Sequence, residues 1–224
     1  MNLQDLMQGA EVWRGNGFLP PAGGATASGF AALDALLPGG GWPAAALTEI
    51  LLPRAGIGEL SLMMPALAAL SRGDRWLAFV APPYIPYAPA LAAAGVDLSR
   101  VLMIHPRSRG DALWALEQTL RAGTCGAVLA WPALADTTVL RRLQRAAEVG
   151  DCLGVVFRSA LHAVAASPAA LRLKLVPEEA GLGVEILKRR GGWPAGPVRL
   201  EMDRAVAVSA PAGSGARRLH ARRP

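Results

Sequence analysis

The run Gly56-Ile57-Gly58-Glu59-Leu60-Ser61 follows closely on the apolar segment Thr48-Glu49-Ile50-Leu51. Strand, glycine-bearing turn and helix start, in that order, is the layout that cradles phosphate. In the pattern GxxxxGK[ST], backbone N–H groups and the helix N-terminus hold the phosphates. A lysine neutralises them and a Ser or Thr hydroxyl holds magnesium. Here Glu59 stands where the lysine belongs. A carboxylate beside a triphosphate repels it. Gly56, Gly58, Glu59 and Ser61 therefore mark a degenerate nucleotide site. Such a turn either still holds an anion on its amides or is a structural corner that needs glycine.

Other reactive residues form no constellation. Cys125 and Cys152 both lie in apolar runs and read as buried free thiols. The three histidines are scattered, with no Ser/His/Asp or paired-carboxylate arrangement and no metal-ligand spacing. No catalytic residue, metal or cofactor is expected.

The elements that must position the turn follow from periodicity. Strands are expected at 47–52, 76–81, 101–105, 126–131 and 153–158, and helices at 59–70, 87–94, 111–122 and 136–150. Pro65 falls inside the first of these helices, where it removes a hydrogen bond and can kink the chain. Strands alternating with helices of this length mean βαβ units and a parallel sheet. From 171 the pattern changes to alternating apolar and polar residues, at 171–176, 183–189 and 198–202, an antiparallel extension with one wet face. A short helix over 2–12, a Gly/Pro-rich linker over 16–28 and an amphipathic 30–37 precede the core. The expected layout is an N-terminal helix and linker over 1–27, a core over 28–204 and a disordered basic tail over 205–224.

Of the 224 residues, 52% are hydrophobic, enough for a full core, and the net charge is +6 with a pI near 10.3. Such a balance permits nucleic-acid contact. Much of the excess sits in Arg217, Arg218, Arg222 and Arg223, behind a Gly/Ala/Ser/Pro-rich stretch that cannot build a core. No basic-then-apolar leader opens the chain, and no 18-residue apolar run is free of Pro and Gly. A soluble cytoplasmic protein with no membrane partner is expected.

Several stretches resemble RecA. Ser28-Gly29 with Leu33-Asp34, Gly39-Gly40-Gly41-Trp42-Pro43, and Leu77-Ala78-Phe79-Val80 followed by Gly95-Val96-Asp97 are the matching ones. The resemblance implies a catalytic glutamate near Pro83 and a magnesium-site aspartate where Trp131 ends its strand. With Glu59, three nucleotide-handling positions are replaced, which removes the electrostatics that phosphoryl transfer needs. The fold expected is α/β: a RecA-like parallel core with helices on both faces and a C-terminal antiparallel β extension. The set formed by 39–43, 56–60, 81–89, 127–132 and Val12-Trp13-Arg14-Gly15 resembles the ImuA family. That family is related to RecA and more distantly to SulA.

The ImuA resemblance implies a catalytically inactive adaptor in an error-prone translesion synthesis complex of the SOS response to DNA damage. Its partner would be an ImuB-type inactive polymerase relative, with RecA itself as a second. Candidate docking residues are Leu6, Val12 and Trp13 near the N-terminus and Tyr84 and Tyr87 in a proline-rich loop. That loop equally reads as a connector packed on its own domain, and Trp131 and Trp42 as plugs of an empty site. Arg141, Arg142 and Arg145 on one helix, Lys188, Arg189 and Arg190 at a hairpin tip, and the four tail arginines are candidates for weak DNA contact. Each set also reads as a solvated face. Two alternatives stand beside the adaptor: an ATPase with a divergent phosphate loop, and a SulA-like division inhibitor that binds a tubulin-like filament protein. The chain length and its lead-in over 1–50 are read as favouring ImuA, because SulA relatives are shorter.

Overall fold

A strand buried along its whole length must lie inside a sheet that is covered on both faces. Ala46–Leu52, β3, is such a strand. The computed structural model describes residues 24–132, 136–179 and 181–202. Two short strands, β1 (Ala25–Thr26) and β2 (Trp42–Pro43), pair antiparallel ahead of β3. The remaining strands are β4 (Trp76–Val80), β5 (Val101–Ile104), β6 (Cys125–Ala130), β7 (Leu153–Ser159), β8 (Leu171–Glu178), β9 (Gly181–Arg189) and β10 (Ala195–Glu201). With β3 they form an eight-stranded sheet in the order β10-β9-β8-β3-β7-β6-β4-β5. Neighbours from β8 through β5 pair parallel, while β9 and β10 add on antiparallel. The fold is mixed α/β with one large sheet.

The helices are α1 (Ala31–Asp34), α2 (Glu59–Ser71), α3 (Ala88–Ala93), α4 (Arg109–Arg121) and α5 (Thr137–Val149). Successive strand side chains point to opposite faces, and the core divides accordingly. On one side Ile50, Phe79, Leu129 and Phe157 pack with Met63 and Leu67 of α2. On the other Leu47, Val80, Val128 and Val156 pack with Leu116 and Leu120 of α4 and Leu140 and Leu143 of α5. Among the described residues no helix is long and apolar enough to cross a membrane.

Element boundaries differ from the periodicity where a local device intervenes. Helix α4 begins at Arg109 rather than 111 because the Ser108 hydroxyl accepts the Asp111 N–H at 3.1 Å. Strand β10 begins at Ala195 rather than 198, and a register shift between Ala195 and Val198 hides it from a period-2 reading. The last part of the expected 16–28 linker is structured: Ala25 and Thr26 pair with Pro43 and Trp42, and Asp34 accepts the Ser28 N–H at 2.8 Å. Helix α2 continues through Pro65. A Cβ on Gly29 would lie 2.3 Å from the Pro65 Cβ, so only glycine fits against that ring. The expected helix over 2–12, with Leu6, Val12 and Trp13, and the tail over 205–224, with Arg217, Arg218, Arg222 and Arg223, lie outside the described residues.

Candidate functional site

The turn between β3 and α2 reverses direction on Gly56 and Gly58, with φ of 81° and 111°, conformations that glycine alone adopts at little cost. The turn delivers the first residue of α2, Glu59, to a buried position. One Glu59 carboxylate oxygen accepts the Gly56 N–H at 2.8 Å and the other accepts the Ile57 N–H at 2.9 Å. A carboxylate in the first turn also sits well with the helix dipole. These two turn amides are therefore held by a carboxylate of the chain itself.

The turn opens into a cleft of about 380 Å³. All six residues of the expected degenerate nucleotide site line it: Gly56, Gly58, Glu59, Ser61, Pro83 and Trp131. Long-range strand pairing brings them together, because β6 lies two strands from β3 and β4 three strands away. The Trp131 ring stacks on Phe157 of β7, with centroids 4.5 Å apart and planes 22° apart, and closes the floor of the cleft. Its indole N–H has no partner. Trp42 does not line the cleft; it is fully buried in the core. Among the described residues no group of three or more His, Cys, Asp or Glu side chains is placed to hold a metal ion.

The loop after β4 forms one wall. Tyr84, Ile85 and Tyr87 are 64%, 77% and 60% exposed, so they do not pack down on their own domain. Tyr84 and Ile85 line the cleft; Tyr87 precedes α3 just outside it. Glu178 and Glu179, at the turn from β8 to β9, stand on the other side, and Arg54 also reaches the lining.

Four of the six described candidate basic residues are engaged within the chain. Arg142 of α5 pairs with Glu117 of α4. Lys188 donates to the Ser167 carbonyl at 2.7 Å, and burial, with Arg190 and Arg172 nearby, holds its ammonium below the ordinary lysine value. Arg189 donates to the carbonyls of Trp193 and Leu36, and Arg190 pairs with Glu148 at 3.5 Å. Lys188, Arg189 and Arg190 lie where β9 turns into β10, with Arg189 bridged to Gly192 across the turn. Arg141 and Arg145 are exposed on α5.

Two polar centres escaped the sequence reading. Glu49, in the middle of β3, is fully buried and pairs with Arg158 of β7 and Arg172 of β8, the latter at 2.6 Å. Burial alone would raise the Glu49 carboxyl, but hydrogen bonds from Arg158, Ser167 and Arg172 outweigh it and hold the group below the ordinary glutamate value. Arg172 also donates to the carbonyls of His162, Ala163 and Ala165, fixing the loop after β7. The second centre is Gln144 of α5, whose buried side-chain oxygen accepts the N–H groups of Leu47 and Ala170. A lone carboxylate in an otherwise apolar strand was the visible signal for the first; an uncharged Gln on a helix gives none.

Comparison with known proteins finds similarity over the central part of the chain. The family model "Cell division inhibitor SulA" matches residues 48–154, just under half of the chain. A cell division inhibitor SulA from Edwardsiella piscicida is 32% identical over 44% of this chain and 60% of its own length. The one from Pseudomonas aeruginosa is 30% identical over 44% of this chain and 63% of its own. The chain thus spans about 60% of the curated relatives it matches. The crystal structure of SulA from Pseudomonas aeruginosa is 28% identical, covers 50% of this chain and 97% of the other, and superposes with a TM-score of 0.43, too low to support an argument from shape.

These findings correct the family expectation. The similarity points to SulA and not to ImuA, so the translesion reading and its ImuB-type and RecA partners are withdrawn. Nor do the comparisons support the RecA-like and phosphate-loop terms attached to it. The reason is visible in the motifs. Those at 56–60, 81–89 and 127–132 all fall within 48–154, so they are features of the stretch that is similar to SulA. The other two segments of that set, 39–43 and Val12-Trp13-Arg14-Gly15, lie outside it. Overall length was a poor guide, because the similarity is confined to that stretch.

Proposed function

We propose that this protein is an inhibitor of cell division that acts by binding and not by catalysis. The observation that carries the reading is the match over 48–154, a stretch that contains the β3–α2 turn, the exposed loop after β4 and the cleft floor at Trp131. Self-occupation of the turn amides by Glu59 supports the non-enzymatic part. The target is a tubulin-like division filament protein of the FtsZ kind, met in the cytoplasm as part of the SOS response. Tyr84, Ile85 and Tyr87 are the contact residues, since exposed aromatics on a rigid loop carry binding energy at low ordering cost. The finer reading of the core as RecA-like is supported by the parallel strands and the glycine-bearing turn ahead of α2. Residues 28–204 would form the functional core, with 1–27 and 205–224 as flanks.

The test is controlled expression in a rod-shaped bacterium, with cell length and colony formation as readouts and cosedimentation with the purified filament protein beside them. Cells should elongate without dividing, and the protein should reduce the sedimenting polymer. Normal division at protein levels confirmed by immunoblot overturns the reading.

A further inference from the structure

Helices α4 and α5 cover the sheet face opposite α2, and a groove runs between them. Leu113, Trp114, Val139 and Leu143 give it an apolar lining. Its volume of about 240 Å³ falls below the roughly 300–1,000 Å³ of small-ligand pockets and suits a single side chain. Trp114 is 65% exposed at this groove, and tryptophan is among the side chains that most often anchor an interface. Among the lining residues Glu117 is the one acid; it is buried and already holds two arginines, Arg142 and, at 3.5 Å, Arg121. One carboxylate against two guanidiniums leaves the groove positive after both pairs are counted. The two helices carry five arginines and three carboxylates. Glu148 is held by Gln144 and Arg190, so Asp111 is the one carboxylate of the three that is not engaged. Arg109 adjoins Gly110, which also lines the groove, and Arg145 lies three residues after Arg142, on the same side of α5. Both are exposed, and neither has a hydrogen bond or ion pair to another described residue.

We infer that this groove docks a short acidic segment of a partner protein, with one apolar side chain seated beside Trp114 and the carboxylates on either side of it met by Arg109 and Arg145. Burial against Leu113, Val139 and Leu143 draws the apolar side chain in. The two free cations set the sign of the charge that the segment must carry. One aromatic ring beside an aliphatic slot suits a protein side chain better than a nucleic-acid strand, which asks for successive rings on which to stack its bases. The inference goes beyond the division reading. It names a second surface, on the other side of the sheet from α2 and its cleft, and stands whether or not Tyr84 and Ile85 meet a filament.

The test uses the full chain and fluorescein-labelled probes read by fluorescence polarisation, at about 0.15 M salt so that long-range attraction to the net charge of +6 is screened. The peptide Gly-Ser-Glu-Glu-Leu-Glu-Glu-Ser-Gly should bind at least about tenfold more tightly than the same peptide with lysine in place of every glutamate. It should bind at least about fivefold more tightly than the version with alanine in place of leucine. Arg109→Glu/Arg145→Glu removes no contact within the described fold and should lower affinity for the first peptide at least about fivefold. Trp114→Ala should weaken it to a similar extent; if that variant does not fold by circular dichroism, Trp114→Gln removes the ring and keeps a long side chain in its place. Tyr84→Ala/Tyr87→Ala should leave the affinity unchanged. Equal binding of the acidic and lysine peptides, an alanine peptide as tight as the leucine one, or unchanged affinity in the folded arginine variant overturns the inference. So does loss of the peptide in Tyr84→Ala/Tyr87→Ala, which would place it at the cleft. A labelled oligothymidine that binds more tightly than the acidic peptide, and is lost in the arginine variant, overturns it in favour of nucleic acid. The division assay separates the two readings. A chain that blocks division but shows none of these preferences loses only the groove. A chain with the preferences that leaves division intact loses only the division reading.

Discussion

The Glu59 carboxylate accepts the N–H of Gly56, three residues before it, at 2.8 Å, so the turn that opens α2 is closed by its own anion. Two outcomes follow. Glu59→Ala should destabilise the protein by about 1–2 kcal/mol in urea unfolding, since it leaves the Gly56 and Ile57 N–H groups without their acceptor. The unaltered protein should give no binding heat with millimolar ATP and magnesium in calorimetric titration. A micromolar dissociation constant would sink the inert-site reading.

Glu49 with Arg158 and Arg172 is a buried ion cluster, and removing one member leaves the others uncompensated. Glu49→Gln should cost about 3 kcal/mol or more. The pH dependence has a fixed sign. The folded carboxyl lies below its ordinary value of 4.5, so its contribution is complete above that value and is lost as the pH falls through and below it. Melting temperatures followed from neutral pH to pH 3 should therefore fall more steeply for the unaltered protein than for Glu49→Gln. Parallel curves would show that Glu49 does not carry the acid sensitivity.

Tyr84 and Tyr87 touch little of their own domain, so Tyr84→Ala/Tyr87→Ala should melt within a degree or two of the parent. Truncating exposed aromatic anchors should weaken target binding by about 2 kcal/mol, roughly thirtyfold. Cosedimentation with the division filament protein, together with cell length in vivo, reads the effect. A folded variant that still blocks division at the parent's expression level places the contact surface elsewhere.

Cys152 is fully buried, and that burial pushes its thiol up to about 12; Cys125, also buried, is raised for the same reason. The thiolate is the reactive form. Neither cysteine should react with Ellman's reagent at pH 8 in the folded protein, and both should react once it is unfolded in guanidinium. Rapid release of the chromophore without denaturant would show that one of them is accessible.

Much of the fold is written locally. Apolar runs such as Ala127-Val128-Leu129 mark buried parallel strands, and the alternation after 171 marks the antiparallel pairing of β8, β9 and β10, but the parallel pairing of β8 with β3 on its other edge is not legible in that period. The wrong charge at Glu59 was equally legible, but its fate was not. A side chain in the sequence has a charge; whether it repels a ligand or folds back onto two amides depends on the backbone of the turn. The motifs also resembled more than one family, because strand, turn and loop segments are shared by proteins with different partners.

What only the tertiary structure decided is which distant residues meet. Glu49 is one carboxylate in a buried strand, and its arginines stand 109 and 123 residues further along the chain. Pro83, Trp131 and Glu178 reach one cleft from three different strand ends. Sheet order and register set these encounters. They are fixed by packing across the whole sheet, a long-range choice that no short window of sequence contains.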